Sequence, residues 1–155
     1  MNSERAAAKL ELTVQTAVNS PGLPTKAELR RWLAAALERS AAITVRFVGA
    51  AEGRALNRAY RGRDYATNVL SFDYGDGGHG QILAGDIVLC APVLRREARA
   101  QGKALQAHVA HLAVHGALHL QGYDHQTPRA AASMEALEKK ILVQLGFPDP
   151  YAGDA

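Results

Sequence analysis

Residues 115–125 read HGALHLQGYDH, and this segment constrains the chain more than any other. His115 and His119 are four residues apart, so on a helix both imidazoles project from one face, a turn apart. That separation lets two ring nitrogens reach one ion at the ~2.0–2.1 Å length of a zinc–nitrogen bond. Gly122 follows three residues later, where glycine can take the left-handed conformation that ends a helix and folds the chain back. His125 then arrives as a third ligand. Three protein ligands leave a fourth position for water, which is the arrangement of a catalytic rather than a structural zinc. One Zn2+ per chain is expected.

The spacing matches the H-x-x-x-H-x-x-G-x-x-H skeleton of the metzincin proteases, except that their second residue is the glutamate base and here it is Gly116. The metal ligands and the turn are kept while the carboxylate that activates water for peptide hydrolysis is absent. The expectation is a hydrolase of another substrate, or a base supplied from elsewhere. Five of the six histidines fall between positions 108 and 125. His108 and His111 share the helical stripe of His115, so His111 with His115 is an alternative ligand pair, but no turn delivers its third member. Buried, hydrogen-bonded or outer-shell roles suit both better. His79, in a glycine-rich loop, is expected to be solvent-exposed.

Patterning along the chain predicts the elements that carry this segment. Leu10, Leu12 and Val14 alternate with polar residues as a half-buried strand, and Ile43, Val45 and Phe47 do the same. Thr25 with Glu28 reads as a capping box opening a helix whose inner face is Leu29, Trp32, Leu33, Ala36 and Leu37. A short helix is expected over 51–60, ending at Gly62, with further strands at Val69 to Tyr74 and Ile82 to Cys90 joined through GDGGHG (75–80). Helices follow from Pro92 to about 101 and from Leu105 to Leu120. A last one opens at Thr127-Pro128, carries Met134, Leu137, Ile141 and Leu145 on one face, and stops at Gly146. This order implies an α+β fold: a small mixed four-stranded sheet covered by helices, with the zinc site at the C-terminal end of a central helix, a zincin-like arrangement.

The 155 residues suit one domain, 1–155, and 48% hydrophobic with 21% charged residues is globular composition. No apolar run reaches the ~18–20 residues needed to span a bilayer, and no secretory signal opens the chain. One cysteine, Cys90, permits no internal disulfide, so the cytoplasm is the expected compartment. Net charge is +3, and the distribution says more. Arg54, Arg58, Arg61 and Arg63 cluster without an acid, and Arg95, Arg96, Arg99 and Lys103 are opposed only by Glu97. Such clusters attract phosphate backbones, although a solvated helix face explains them equally well.

HGALHLQGYDH (115–125), YRGRDYATNVLSF (60–72) and GDIVLC (85–90), in this order, closely resemble the YbeY family of bacterial metal-dependent endoribonucleases. The resemblance runs from about residue 40 to MEALEKKILVQLGF (134–147). It implies a single-strand-preferring RNase that matures ribosomal RNA, notably the 3′ end of the small-subunit 16S RNA, and acts in ribosome quality control. It implies zinc ligation by His115, His119 and His125, and a functional arginine at Arg61. It also implies the small ribosomal subunit as partner, with links to a small-subunit ribosomal protein and an assembly GTPase.

RNA hydrolysis suits these parts. Arginine offers phosphate oxygens a planar, permanently charged fork. Arg61 is expected to hold the scissile or adjacent phosphate, with Arg58 and Arg63 lining the approach and Ser71, Thr67 and Asn68 offering polar groups from one wall. Asp124 adjoins a ligand, yet capping the turn or supporting a histidine are equally open roles. Asp86 is read as orienting a loop or capping a turn. Met134 and Cys90 are read as core. The rival functions are a metallopeptidase, opposed by Gly116, and a non-catalytic ribosome-assembly factor stapled by zinc.

Overall fold

The computed structural model describes residues 9–75 and 82–152; His79 and most of the glycine-rich loop lie outside the described residues. Among the described residues the elements are β1 (Leu10–Thr16), α1 (Lys26–Ala36), β2 (Ala41–Val48), α2 (Ala50–Arg61), β3 (Val69–Asp73), β4 (Leu83–Cys90), α3 (Ala91–Gln101), α4 (Leu105–Leu120) and α5 (Pro128–Gln144). Each expected element is present, with ends moved by about one residue, the usual scatter of frayed termini.

The strands form one sheet in the order β1-β2-β4-β3, with β1, β2 and β4 parallel and β3 antiparallel to β4. In β2, Ala41, Ile43, Val45 and Phe47 are buried and alternate with half-buried residues, so the strand turns one face fully inward. That face, continued by Ile87 and Leu89 of β4, is covered by α1 and α4. The opposite face carries a smaller cluster of Val48, Leu70, Val88, Cys90 and Val93, closed by Leu56 of α2.

The capping box of α1 is complete: the Glu28 amide donates to Thr25 Oγ1 at 3.1 Å and the Thr25 amide to Glu28 Oε1 at 2.8 Å. At α5, the Ala130 amide donates to Thr127 Oγ1 at 3.1 Å behind Pro128. Helix α4 differs from the others in being apolar on nearly every side, with Val109, Ala110, Ala113, Val114, Ala117 and Leu118 all fully buried. It needs this composition because it packs on α1, α3, α5, β3 and β4 at once. Fully burying a Val or Leu is worth ~1.5–3 kcal/mol, so this one helix anchors much of the fold.

Gly116 has a structural reason beyond the missing glutamate. A Cβ built there would sit 3.0 Å from Ile87 Cγ2 and 3.3 Å from two further Ile87 carbons. Position 116 therefore faces β4, and glycine lets α4 lie close on the sheet. Met134 (1% exposed) and Cys90 (2%) are core residues, as expected.

Candidate active site: a histidine triad beside an edge strand

The last turn of α4 ends in a Schellman arrangement. The Tyr123 amide donates to the Leu118 carbonyl at 3.2 Å and the Gly122 amide to the His119 carbonyl at 3.0 Å. Gly122 carries the required positive φ of 100°. Gln121 locks this turn to α1, its Nε2 donating to the carbonyls of Ala36 (2.8 Å) and Ala117 (3.0 Å) while the Glu38 amide donates to its Oε1 at 2.8 Å. The Tyr123 hydroxyl adds a bond to Glu38 Oε2 at 2.7 Å. The chain beyond the turn is thus held in place and returns His125 to the helix face it left.

The three imidazoles converge. Ring centroids of His115 and His119 are 6.2 Å apart with planes within 6° of parallel. His125 lies 5.5 Å from His115 and 6.2 Å from His119. A tetrahedral ion with ~2.0–2.1 Å bonds asks for centroids about 5 Å apart. Among the described residues no group of three His, Cys, Asp or Glu is already closed to that spacing. The triad is wider than that spacing by about 0.5 Å at the His115–His125 pair and by about 1.2 Å at the two pairs that include His119.

The donor chemistry fits a cation. His115 Nδ1 lies 2.7 Å from Glu138 Oε2, and His119 Nδ1 lies 3.0 Å from the Tyr123 carbonyl oxygen. An ionised carboxylate and a carbonyl only accept, so in each neutral ring Nδ1 carries the hydrogen and Nε2 keeps its lone pair. In both rings Nε2 is thereby the nitrogen left to hold a cation. The turn built on Gly122 therefore acts twice: it returns His125 and it supplies the acceptor that sets the tautomer of His119.

Glu138 is the residue that patterning along the chain missed. It is 1% exposed, yet it accepts from His111 Nε2 at 2.8 Å, from His115 at 2.7 Å and from the Tyr151 hydroxyl. Burial alone would raise its pKa, but the hydrogen bonds from His111, His115 and Tyr151 win and hold it at about 2. Burial and the neighbouring Glu138 carboxylate push the Tyr151 phenol well above its ordinary value, so it remains a donor. A signal was present in the sequence, a lone acid four residues after Met134 and three before Ile141 on the inner stripe of α5.

The other two histidines of the stripe have carboxylate partners: His111 Nε2 is engaged by Glu138, and His108 Nε2 lies 2.9 Å from Glu97 Oε1. Burial lowers the His108 pKa against the opposing pull of Glu97. Glu97 also accepts from Asn68 Nδ2 at 3.1 Å, tying α3 to the strand wall. These residues border a second cavity of about 490 Å³ that adjoins the triad through His115 and His125.

Strand β3 closes the sheet, so its outer edge is open, with α2 on one face and α4 on the other. Along that edge runs a cleft of about 670 Å³ lined by the three histidines, Arg61 and Tyr60 of α2, residues 67–72 and the 124–126 turn. Thr67, Asn68 and Ser71 lie in its wall as expected. Arg61 sits in the last turn of α2 before left-handed Gly62 (φ 69°), where the helix dipole favours a cation. Arg58 and Arg63 are exposed but are not among the residues lining the cleft, so they can act only on chain that extends beyond it. Arg54 is bound to Asp64 by 2.7 and 3.0 Å hydrogen bonds. Asp124 is the sole acid lining the cleft among the described residues, and its Oδ1 accepts from the Gln126 amide at 3.2 Å, a turn-capping role. Asp86 accepts from the Tyr74 hydroxyl at 2.8 Å rather than capping a turn.

The model of the family described as Endoribonuclease YbeY matches residues 13–146. The chain belongs to the YbeY family. A relative from Aromatoleum aromaticum named Endoribonuclease YbeY is 56% identical over 154 residues, covering 97% of this chain and 98% of its own. One of the same name from Thiobacillus denitrificans is 54% identical over 145 residues, covering 94% and 98%. The solution structure of a Thermotoga maritima protein matches with a TM-score of 0.52 at 19% identity, covering 92% of this chain and 96% of that one, a likeness of fold alone. No described helix is long and apolar enough to cross a membrane.

Proposed function

We propose that the chain is a zinc-dependent endoribonuclease acting on single-stranded regions of ribosomal RNA, with the 3′ end of the 16S RNA as its target. The observation that carries this reading is the meeting of Arg61 and the triad His115, His119 and His125 in one cleft along an open strand edge. The relatives' shared name supports the RNA substrate. A zinc ion at the triad supplies Lewis acidity toward a phosphoryl oxygen and acidifies water at neutral pH. The protein's own part is positioning. Arg61 presents two N–H donors to a phosphate, and Ser71, Thr67 and Asn68 offer hydrogen bonds to phosphate or sugar from the opposite side of the cleft. Glu138 and the Tyr123 carbonyl accept from Nδ1 of His115 and His119, which turns Nε2 of each ring toward the cation. Asp124, the one acid lining the cleft among the described residues, caps the turn through Oδ1, and the nucleophile is water or the RNA 2′-hydroxyl. Work in ribosome maturation and quality control in the cytoplasm, on the small subunit alongside one of its proteins and an assembly GTPase, completes the proposal.

The test is to incubate zinc-loaded protein with single-stranded ribosomal RNA and with casein, comparing wild type, His119→Ala and Arg61→Glu. The expected result is RNA cleavage by wild type, near-complete loss in both variants and no casein cleavage. Peptide cleavage would overturn the reading, and so would RNA cleavage that survives His119→Ala in pure protein. A folded protein inert on both substrates yet bound to ribosomal particles would point to an assembly factor instead.

A further inference from the structure

The cleft has an aromatic margin that the hydrolytic reading leaves unused. Tyr60 is 68% exposed and Tyr74 is 64% exposed, although both belong to ordered segments. A tyrosine left this open adds little to the core, and exposed aromatic surface beside a site marks a place where something binds. Tyr60 is not loose: its ring meets Phe72 edge-on, with centroids 5.1 Å apart and planes at 73°. Tyr74 is held as well, its hydroxyl donating to Asp86 Oδ2 at 2.8 Å.

Strand geometry puts the three rings in one row. Phe72 and Tyr74 are two residues apart, so they point to the same face of the sheet, about 7 Å apart along the strand. Asp86 is the cross-strand partner of Phe72, which places the Tyr74 hydroxyl on that face too. This is the face covered by α2, from which Tyr60 reaches down. The row starts in the cleft, since Tyr60 and Phe72 line it together with Arg61 and the triad, and it continues to Tyr74, the residue after β3, which is not among the cleft's lining. Arg58 and Arg63 stand exposed on the same helix and the loop after it. Among the described residues at the far end, Asp73 accepts from the Gly75 amide at 2.7 Å and Asp86 from the Tyr74 hydroxyl.

We propose that Tyr60 and Tyr74, either side of Phe72, form a base-stacking track for single-stranded RNA that leads along β3 into the histidine cleft. The proposal rests on the nuclease reading. Bases of an unpaired strand present free π-faces to exposed rings, while the arginines of α2 take the phosphates. A duplex has its bases already stacked and paired and cannot use the track. Preference for single strands follows from that difference, with no contact to base edges and hence little sequence selectivity.

The experiment measures binding of the zinc-loaded full chain to a short fluorescent single-stranded oligonucleotide, 2′-O-methylated to resist cleavage, and to the matching duplex. Cleavage of unmodified RNA is followed in parallel. Tyr60→Ala and Tyr74→Ala are each expected to weaken single-strand binding by roughly 5- to 100-fold, the usual range for a lost base stack. Tyr60→Phe, which keeps the ring, stays near wild type, and duplex binding changes in none of these variants. Abasic sites in the oligonucleotide are expected to weaken wild type while adding no further loss to the double variant Tyr60→Ala/Tyr74→Ala. Unchanged single-strand affinity in the alanine variants, or equal losses on single strand and duplex, overturns the track; if wild type still cleaves RNA, the nuclease reading stands without it. Failure of wild type either to bind or to cleave single-stranded RNA overturns both.

Discussion

His115 Nδ1 lies 2.7 Å from Oε2 of Glu138, a carboxylate 23 residues away on α5 that has only 1% of its surface exposed. The same carboxylate reaches His111 through its other oxygen. Two turns of α4 are thereby clamped to α5 by one ion whose charge is secured by three donors. An outer partner of this kind orients the ligand ring and raises its basicity, and losing one typically costs ~10–100-fold in metal affinity. Glu138→Gln is therefore expected to weaken zinc binding by about that factor, read by competition with a chromophoric chelator. Unchanged zinc affinity would show that His115 needs no such clamp.

Gly122 links the fold to His125, the third histidine of the triad. With φ at 100°, an alanine there is strained by about 1–2 kcal/mol, since L residues disfavour positive φ. Gly102, φ 66°, ends α3 away from the triad and should cost a similar amount when changed to alanine. Both variants are expected to melt a few degrees lower, at roughly 2–4 °C per kcal/mol for a chain of this size. Only Gly122→Ala should also weaken zinc binding, because His125 hangs on that turn. Equal zinc affinity in the two variants would count against the linkage.

Gly116→Glu, which restores the protease glutamate to the motif, is expected to produce a weaker protein and no peptidase. The new Cβ would start 3.0 Å from Ile87 Cγ2, so the side chain must push α4 off β4. Overpacking of this kind costs ~1–3 kcal/mol or more. Calorimetry should show the loss, and Ile87→Ala in the same chain should recover part of it. Full stability in Gly116→Glu alone would contradict the close helix–sheet contact.

His108 sets an acid-side limit on stability. Burial lowers its pKa from 6.5 despite Glu97, and the nearby His111 and Lys103 lower it further. As pH falls below ~6.5 the unfolded chain takes up a proton that the folded chain still refuses, so stability declines with pH until the depressed folded value is passed. Melting temperatures between pH 7.5 and 5 should fall less steeply in His108→Gln than in wild type. Identical slopes would mean that the buried ring contributes nothing to acid sensitivity.

Local patterning made the secondary structure and the meeting of the three histidines legible. They lie within eleven residues of chain, and a helix followed by a glycine turn sets their relation without help from the rest of the molecule. The same locality identified the capping box at Thr25 and separated His125 from His108 and His111. Glu138 was hidden because its meaning depends on α5 lying across α4, which no spacing within α5 records. The arginines show the same limit: four in ten residues look alike, but helix phase and the edge position of β3 admit only Arg61 to the cleft while leaving Arg58 and Arg63 outside.

By itself, then, the sequence determined the elements, the triad and its turn, since these depend on hydrogen-bond ladders and caps that close within a few residues. Tertiary structure alone decided which nitrogen His115 leaves free, why position 116 must be glycine, and that Tyr60 and Phe72 share a wall with the histidines. Those properties arise where α4 meets β4 and α5, and where α2 and β3 border the open sheet edge. Contacts between elements distant in the chain are set by how whole faces pack, and a short-range pattern carries no record of them.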